Sequence, residues 1–172
     1  VIAQSGKRVL VVDTDMRKGY THKLFDLDNS SGLSDFLSGK VEINKVVKPT
    51  AIVGMDLITR GMVPPNPAEL LMHKRFEDLI SWAGKNYDIV ILDTPPVLAV
   101  TDAAIIGRYA GTTLLVARFE LNTAKEIEVS VKRFEHSGIT TKGCILNGVV
   151  KKASSYYGYG YNHYGYSYKE EK

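Results

Sequence analysis

Two short apolar runs that end in aspartate constrain the fold of this chain more than any other feature. Val9-Leu10-Val11-Val12 leads into Asp13-Thr14-Asp15, and Ile89-Val90-Ile91-Leu92 leads into Asp93-Thr94-Pro95-Pro96. Near-continuous apolar runs mark strands covered on both faces, as in a parallel sheet, because a strand covered on one face alternates. Four such strands are expected, over residues 8–14, 87–94, 112–118 and 142–148, with a weaker fifth over 55–59.

Helical spacing fills the intervals. Asn66-Pro67-Ala68-Glu69 offers an N-cap, a proline at the first helical position and a capping-box glutamate. Ala68, Leu71, Met72, Phe76, Leu79, Ile80 and Ala83 follow on one helix, which Gly84 is expected to stop. A second helix starts at Thr123 with Glu126 in capping-box position, buries Ala124, Ile127, Val131 and Phe134, and ends at Gly138. Shorter helical pieces are expected over 102–109 and 32–39, and a stiff extended loop over 63–67. Strands alternating with helices make this an α/β chain with a doubly wound, mostly parallel sheet.

A chain of 172 residues, 44% hydrophobic, builds one domain with a real core. A net charge of +3 gives no polyanion signal, and Lys48, Lys151 and Lys152 read as solvated surface, so no nucleic-acid partner is expected. The single Cys144 excludes an internal disulfide and a cysteine-only metal site, which fits a reducing compartment. His22, His73, His136 and His163 have no ligand spacing. No apolar run approaches the ~20 residues that span a bilayer, so the polypeptide is expected to be soluble. Residues 1–6 read as the end of a helix with no initiator Met, and the chain reads as a fragment of something longer.

Ligands of open α/β sheets bind outside the carboxyl ends of the strands, where Asp13, Asp15 and Asp93 fall. An aspartate that closes a buried strand is costly without a partner. One such partner is hydrated Mg²⁺ with bound phosphates, which prefers one or two carboxylates plus phosphate oxygens and water. Another is structural: a cap on the following helix, or an ion pair with Arg17. Two strands of this kind, the second of Walker B form, favour a nucleotide-metal site.

Residues 9–19, Val-Leu-Val-Val-Asp-Thr-Asp-Met-Arg-Lys-Gly, resemble the second Walker motif (A′) of the bacterial tyrosine kinases. Residues 89–96 are similar to their Walker B motif, and Gly61-Met62-Val63-Pro64-Pro65-Asn66-Pro67-Ala68-Glu69-Leu70-Leu71 to another stretch of the group. The tyrosine-rich terminus completes a likeness that covers essentially the whole chain, nearest to the proteobacterial kinases of capsule and exopolysaccharide export, the Wzc/Etk type. The resemblance implies a deviant P-loop ATPase fold that phosphorylates tyrosine with ATP and Mg²⁺. It implies that Asp13 and Asp15 serve metal coordination and deprotonation of the phenol, with the base undecided between them. Asp13 and Asp93 would hold Mg²⁺ largely through water, and Asn147 would contact adenine, unless it is an ordinary strand-end amide. It also implies that Tyr20 is a phosphorylation switch that engages Arg60; the plainer alternative is a tyrosine packed over the site and an arginine on the surface. The implied partners are a ring-like homo-oligomer of the full-length parent, a cognate low-molecular-weight tyrosine phosphatase and the polysaccharide export machinery, at the cytoplasmic face of the inner membrane.

The sequence departs from the pattern in one respect. The Walker A loop, with its glycines and lysine, is not among these residues, and Ser5-Gly6-Lys7 precedes a strand instead of following one. This polypeptide alone is therefore expected to bind ATP poorly and not to phosphorylate.

Composition divides the chain into a kinase-like domain over 1–152 and a tail over 153–172. The last seventeen residues hold Tyr156, Tyr157, Tyr159, Tyr161, Tyr164, Tyr166 and Tyr168, three glycines and no aliphatic residue. Such a segment makes no core and is expected to be disordered. It reads as an autophosphorylation tail offered to neighbouring subunits, or else as a sticky low-complexity segment. Filling all seven sites would add roughly −10 to −14 charge, at about −1.5 to −2 each. The rivals are a partition-type regulatory ATPase and a non-enzymatic interaction module.

Overall fold

The computed structural model describes residues 1–150. The tail tyrosines, His163, Lys151, Lys152 and the 152/153 boundary lie outside the described residues. The chain forms β1 (Val9–Asp13), α1 (Thr21–Leu24), α2 (Leu33–Leu37), β2 (Val47–Pro49), β3 (Met55–Ile58), α3 (Pro67–Met72) and α4 (Lys74–Asn86). Then come β4 (Ile89–Asp93), α5 (Asp102–Gly107), β5 (Thr113–Arg118), α6 (Ala124–His136) and β6 (Thr141–Asn147).

One sheet has the order β2-β3-β1-β4, with β1 parallel to both neighbours and β2 an antiparallel edge. β5 and β6 form a separate parallel pair. All five expected strands are present within two residues of their anticipated ends; β2 was not anticipated. Only three residues long and ending in proline, it gives little periodic signal.

The main core packs Leu10, Val12 and Ile58 of the sheet against Leu33, Leu71 and Phe76 of the helices, all fully buried. A smaller cluster joins Val97 and Ala103 to Phe134 and Ile139, seating α6 beside the start of α5.

Five expectations about packing and helices are corrected. β1 is closed in as expected, but Ile89 and Ile91 of β4 are 39% and 40% exposed, and Leu114 and Val116 of β5 are 53% and 60% exposed. β4 pairs only with β1 and β5 only with β6 among the described residues, and no described layer covers these side chains. The expected single helix from residue 67 is two, because His73 takes an extended conformation (ψ 147°) and its Nδ1 accepts the Arg75 amide at 3.2 Å, capping α4. Gly84 lies inside α4, which continues to Asn86, and the Asn66 side chain donates to Glu69 instead of capping α3. By contrast, Thr123 and Glu126 form the expected reciprocal capping box, and α6 ends ahead of Gly138. Of its four anticipated core residues only Phe134 is buried; Ile127 and Val131 are half-buried, and Ala124 at the first turn is exposed. Gly6, with φ +84°, closes a single 3₁₀ turn over Ala3–Ser5, as its reading as a helix stop requires.

Lys48 is not solvated surface. Its ammonium donates to the carbonyls of Asp28 (2.5 Å) and Ser31 (2.7 Å) and to Thr59 Oγ1 (3.0 Å), tying the 28–31 loop to the end of β3.

Candidate functional site

The carboxyl ends of β1 and β4 meet because the two strands pair in register to their last residues, Asp13 opposite Asp93. The Thr14 amide donates to the Asp93 carbonyl at 2.9 Å and its hydroxyl donates to the same oxygen, fixing the two ends together. Asp13 is fully buried. Its Oδ2 accepts from the Thr21 hydroxyl (2.6 Å) and amide (3.2 Å), while its Oδ1 is buried with no hydrogen-bond partner among the described residues.

The loop after β1 folds over this carboxylate. Asp15 Oδ1 accepts the amides of Arg17 (3.1 Å) and Lys18 (2.9 Å), and the Gly19 amide returns to the Asp15 carbonyl at 2.7 Å. Gly19 lies so close to Asp13 that a β-carbon there would collide with Asp13 Oδ1 and the Asp15 carbonyl. Only glycine fits beneath this turn.

Burial raises the Asp13 carboxyl above the usual aspartate range; the Thr21 bonds oppose this and the Asp15 charge adds to it. Burial also raises Asp93, with the charges of Asp13 and Asp15 adding to the effect. The outer face of Asp93 is open to solvent, so its loss of hydration is partial.

Among the described residues, three acidic groups thus converge with one orphaned oxygen and no basic side chain bonded to any of them. Among the described residues no three His, Cys, Asp or Glu side chains could enclose a metal ion. The donor set suits a cation that takes one or two carboxylates and fills its shell with water and phosphate, as Mg²⁺ does.

Arg17 does not pair with the strand-end aspartates. Its guanidinium makes a two-point contact with Asp102 at the start of α5, Nε to Oδ2 at 3.1 Å and Nη2 to Oδ1 at 3.3 Å. Neither Thr21 nor Asp102 stood out as a site residue in the sequence. Thr21 lies eight positions after its partner, and Asp102 reads as an ordinary first-turn helix acid.

Arg60 and Tyr20 are brought within one peptide of each other, since Arg60 Nε donates to the Gly19 carbonyl at 3.0 Å. The Arg60 Nη1 atom is buried without a partner among the described residues. Tyr20 itself is 57% exposed, with the Lys23 ammonium 5.0 Å from its ring centre. Asn147 stands apart from the carboxylates, at the end of β6. Its Oδ1 accepts from the Gly148 amide at 2.8 Å, its carbonyl accepts from Phe119, and neither bond reaches Asp13, Asp15 or Asp93.

Residues 1–121 match the family model of the AAA domain, AAA_31. The tyrosine-protein kinase wzc of Salmonella typhimurium is 60% identical over 166 residues, which is 96% of this chain and 23% of that protein. The chain therefore spans less than a quarter of the length of this relative. The kinase domain of the Escherichia coli tyrosine kinase ETK superimposes with a TM-score of 0.86 at 57% identity, covering 93% of this chain and 63% of that one. MinD of Pyrococcus horikoshii, solved with Mg-ADP, has a TM-score of 0.67 at 19% identity over 84% of this chain and 59% of that one. The MinD likeness is one of fold and does not favour the partition-type alternative over the kinases. The chain belongs to the AAA domain family, and it is similar over most of its length to part of the tyrosine-protein kinase Wzc and to part of the kinase domain of ETK.

Proposed function

We propose that this chain is the metal-binding and acceptor part of an ATP-dependent protein tyrosine autokinase that regulates capsule and exopolysaccharide synthesis and export. The observation that carries the reading is the Asp13 carboxylate, in register with Asp93 at the strand ends, whose Oδ1 is buried and unpartnered among the described residues. Asp13 and Asp93 would hold Mg²⁺, largely through water, and the cation would supply charge neutralisation for the phosphates of ATP. One of Asp13 and Asp15 takes the phenol proton; the phenol oxygen bonds to the γ-phosphorus as its bond to the ADP oxygen breaks. Asn147 contacts the adenine. The glycine-rich phosphate loop that completes such a site is not among these 172 residues, so the isolated chain offers acceptor tyrosines without phosphorylating them.

The acceptors are Tyr156, Tyr157, Tyr159, Tyr161, Tyr164, Tyr166 and Tyr168, offered to a neighbouring subunit of a ring-like homo-oligomer. A tether raises their effective concentration at that neighbour's site, and the accumulated charge weakens the ring by repulsion. A low-molecular-weight tyrosine phosphatase resets the tail, and the polysaccharide export machinery reads the state of the ring at the cytoplasmic face of the inner membrane. Phosphate on Tyr20 takes the Arg60 guanidinium in a two-point contact that lysine cannot copy.

Mass spectrometry of the tail from native cells tests the reading. Phosphate is expected on several of the seven tyrosines and is expected to vanish when the parent protein carries Asp93→Asn. A tail without phosphate in wild-type cells would sink it.

A further inference from the structure

The Asp102 carboxylate is fully buried, and a buried charge is tolerated only when paired and hydrogen-bonded. Arg17 supplies that partner through both ends of its guanidinium fork. The same residue faces the candidate site through its backbone, since its amide donates to Asp15 Oδ1 at 3.1 Å. Arg17 thus joins two connections. One follows β1 and carries Asp15; the other follows Asp93 and runs through Thr94 and Pro95 into α5. These connections leave adjacent strands that are already fixed to each other at Asp13 and Asp93. The strand ladder sets the spacing of Asp13 and Asp93 but leaves Asp15, two residues into the loop, free of it.

We propose that Arg17 is a positioning residue: its two-point pair with Asp102 clamps the loop after β1 to the connection after β4 and so holds Asp15 at the cation site facing Asp93. This rests on the reading of Asp13, Asp15 and Asp93 as a divalent-cation site. The Asp15 carboxylate is held by two backbone amides of its own turn, so the turn moves as a unit and the guanidinium anchors it from outside. A guanidinium matches a carboxylate at two points and fixes both distance and orientation, whereas an ammonium fixes distance alone.

The test uses the chain itself, with Mn²⁺ alone as the probe. Amide exchange and Mn²⁺ line broadening are read by NMR in the wild type, Asp102→Asn and Arg17→Lys. Asp102→Asn keeps the shape of the buried site and leaves no unpaired carboxylate, so the fold is retained. In the wild type, Mn²⁺ is expected to broaden the amides of both Gly19 and Thr94. In either variant the amides of positions 17 and 18 are expected to exchange at least about tenfold faster, while β1 and β4 stay protected. Broadening at Gly19 falls there and persists at Thr94. Variants that keep broadening at both amides, whatever their exchange rates, reduce the pair to a structural contact and overturn the proposal. So does Arg17→Lys behaving as the wild type. If the wild type shows no broadening at either amide, the cation site fails first and the proposal falls with it.

Discussion

Asp13 and Asp93 face each other on the last rung of the β1–β4 ladder, and Thr14 bonds by both its amide and its hydroxyl to the Asp93 carbonyl. The backbone therefore holds two like charges together where side-chain repulsion alone would separate them. Three carboxylates share this end of the sheet, and among the described residues the only side chain bonded to Asp13 is the neutral Thr21. An arrangement of this kind stores unfavourable electrostatics that a bound cation would relieve.

Asp93→Asn is expected to stabilise the metal-free chain, because it removes one of the facing charges and keeps the shape. A gain of about 1 kcal/mol corresponds to roughly 2–4 °C in Tm for a domain of this size. Mg²⁺ is expected to raise the Tm of the wild type, by about 2.7 kcal/mol of stability at a hundred times its Kd, and to do far less for the variant. Scanning calorimetry with and without Mg²⁺ checks both. A variant less stable than the wild type without metal contradicts the repulsion argument.

The same groups set a pH dependence. Asp13 and Asp93 are raised in the fold above their ordinary value of 3.8. A carboxyl with a raised folded pKa binds more protons folded than unfolded, so its contribution to stability grows as pH falls through the folded value toward 3.8, and is lost as pH rises again. Asp28, Asp88, Glu126 and Glu128 are lowered and pull the other way, losing their contribution as the solution is acidified. The difference in unfolding free energy between Asp93→Asn and the wild type isolates the site from these. That advantage is expected to be largest near neutral pH and to shrink on acidification, measured by urea unfolding across the acid range without Mg²⁺.

Lys48→Met removes three hydrogen bonds at once and leaves the Asp28 and Ser31 carbonyls without this donor. Bonds to a charged donor are worth more than neutral ones, so a loss of about 2–4 kcal/mol is expected by urea unfolding. Desolvation lowers the Lys48 ammonium, with Asp28 and Asp35 opposing, in keeping with a lysine sunk among backbone oxygens. A change within about 0.5 kcal/mol, typical of a surface substitution, would return Lys48 to the solvated surface.

Lys48 also marks the limit of what the sequence reveals. The strands and their aspartates were legible, because near-continuous apolar runs and the return of the chain at a strand end both leave local patterns, even where, as in β4 and β5, side chains of the run stay exposed. The capping box at Thr123 was legible for the same reason. Partnerships across the fold were not. Arg17 finds Asp102 across 85 positions, Arg60 finds Gly19 across 41, and Tyr87 donates to Asp56 across 31, none within reach of a local pattern. His73 breaks a helix whose apolar spacing runs straight through it, because its ring caps the second segment better than its backbone continues the first. The residues that confer the charge of the site were visible; those that hold it in place were not.

Gly19→Ala tests how tightly the loop is sealed over Asp13. Where the backbone has room, replacing glycine by alanine stabilises by about 0.4–1 kcal/mol through the unfolded chain. Here the new methyl would strike Asp13 Oδ1 and the Asp15 carbonyl, and both are too firmly held to yield. The loop must lift instead, and the expected result is destabilisation by about 1–3 kcal/mol in urea. Lifting breaks the bond from Arg60 to the Gly19 carbonyl, so the two residues should be coupled. Once Gly19→Ala has displaced that carbonyl, Arg60→Ala has less to lose, and the double variant should be more stable than the sum of the single effects by about 0.5 kcal/mol or more. Strict additivity would mean that Arg60 does not hold the loop against Asp13.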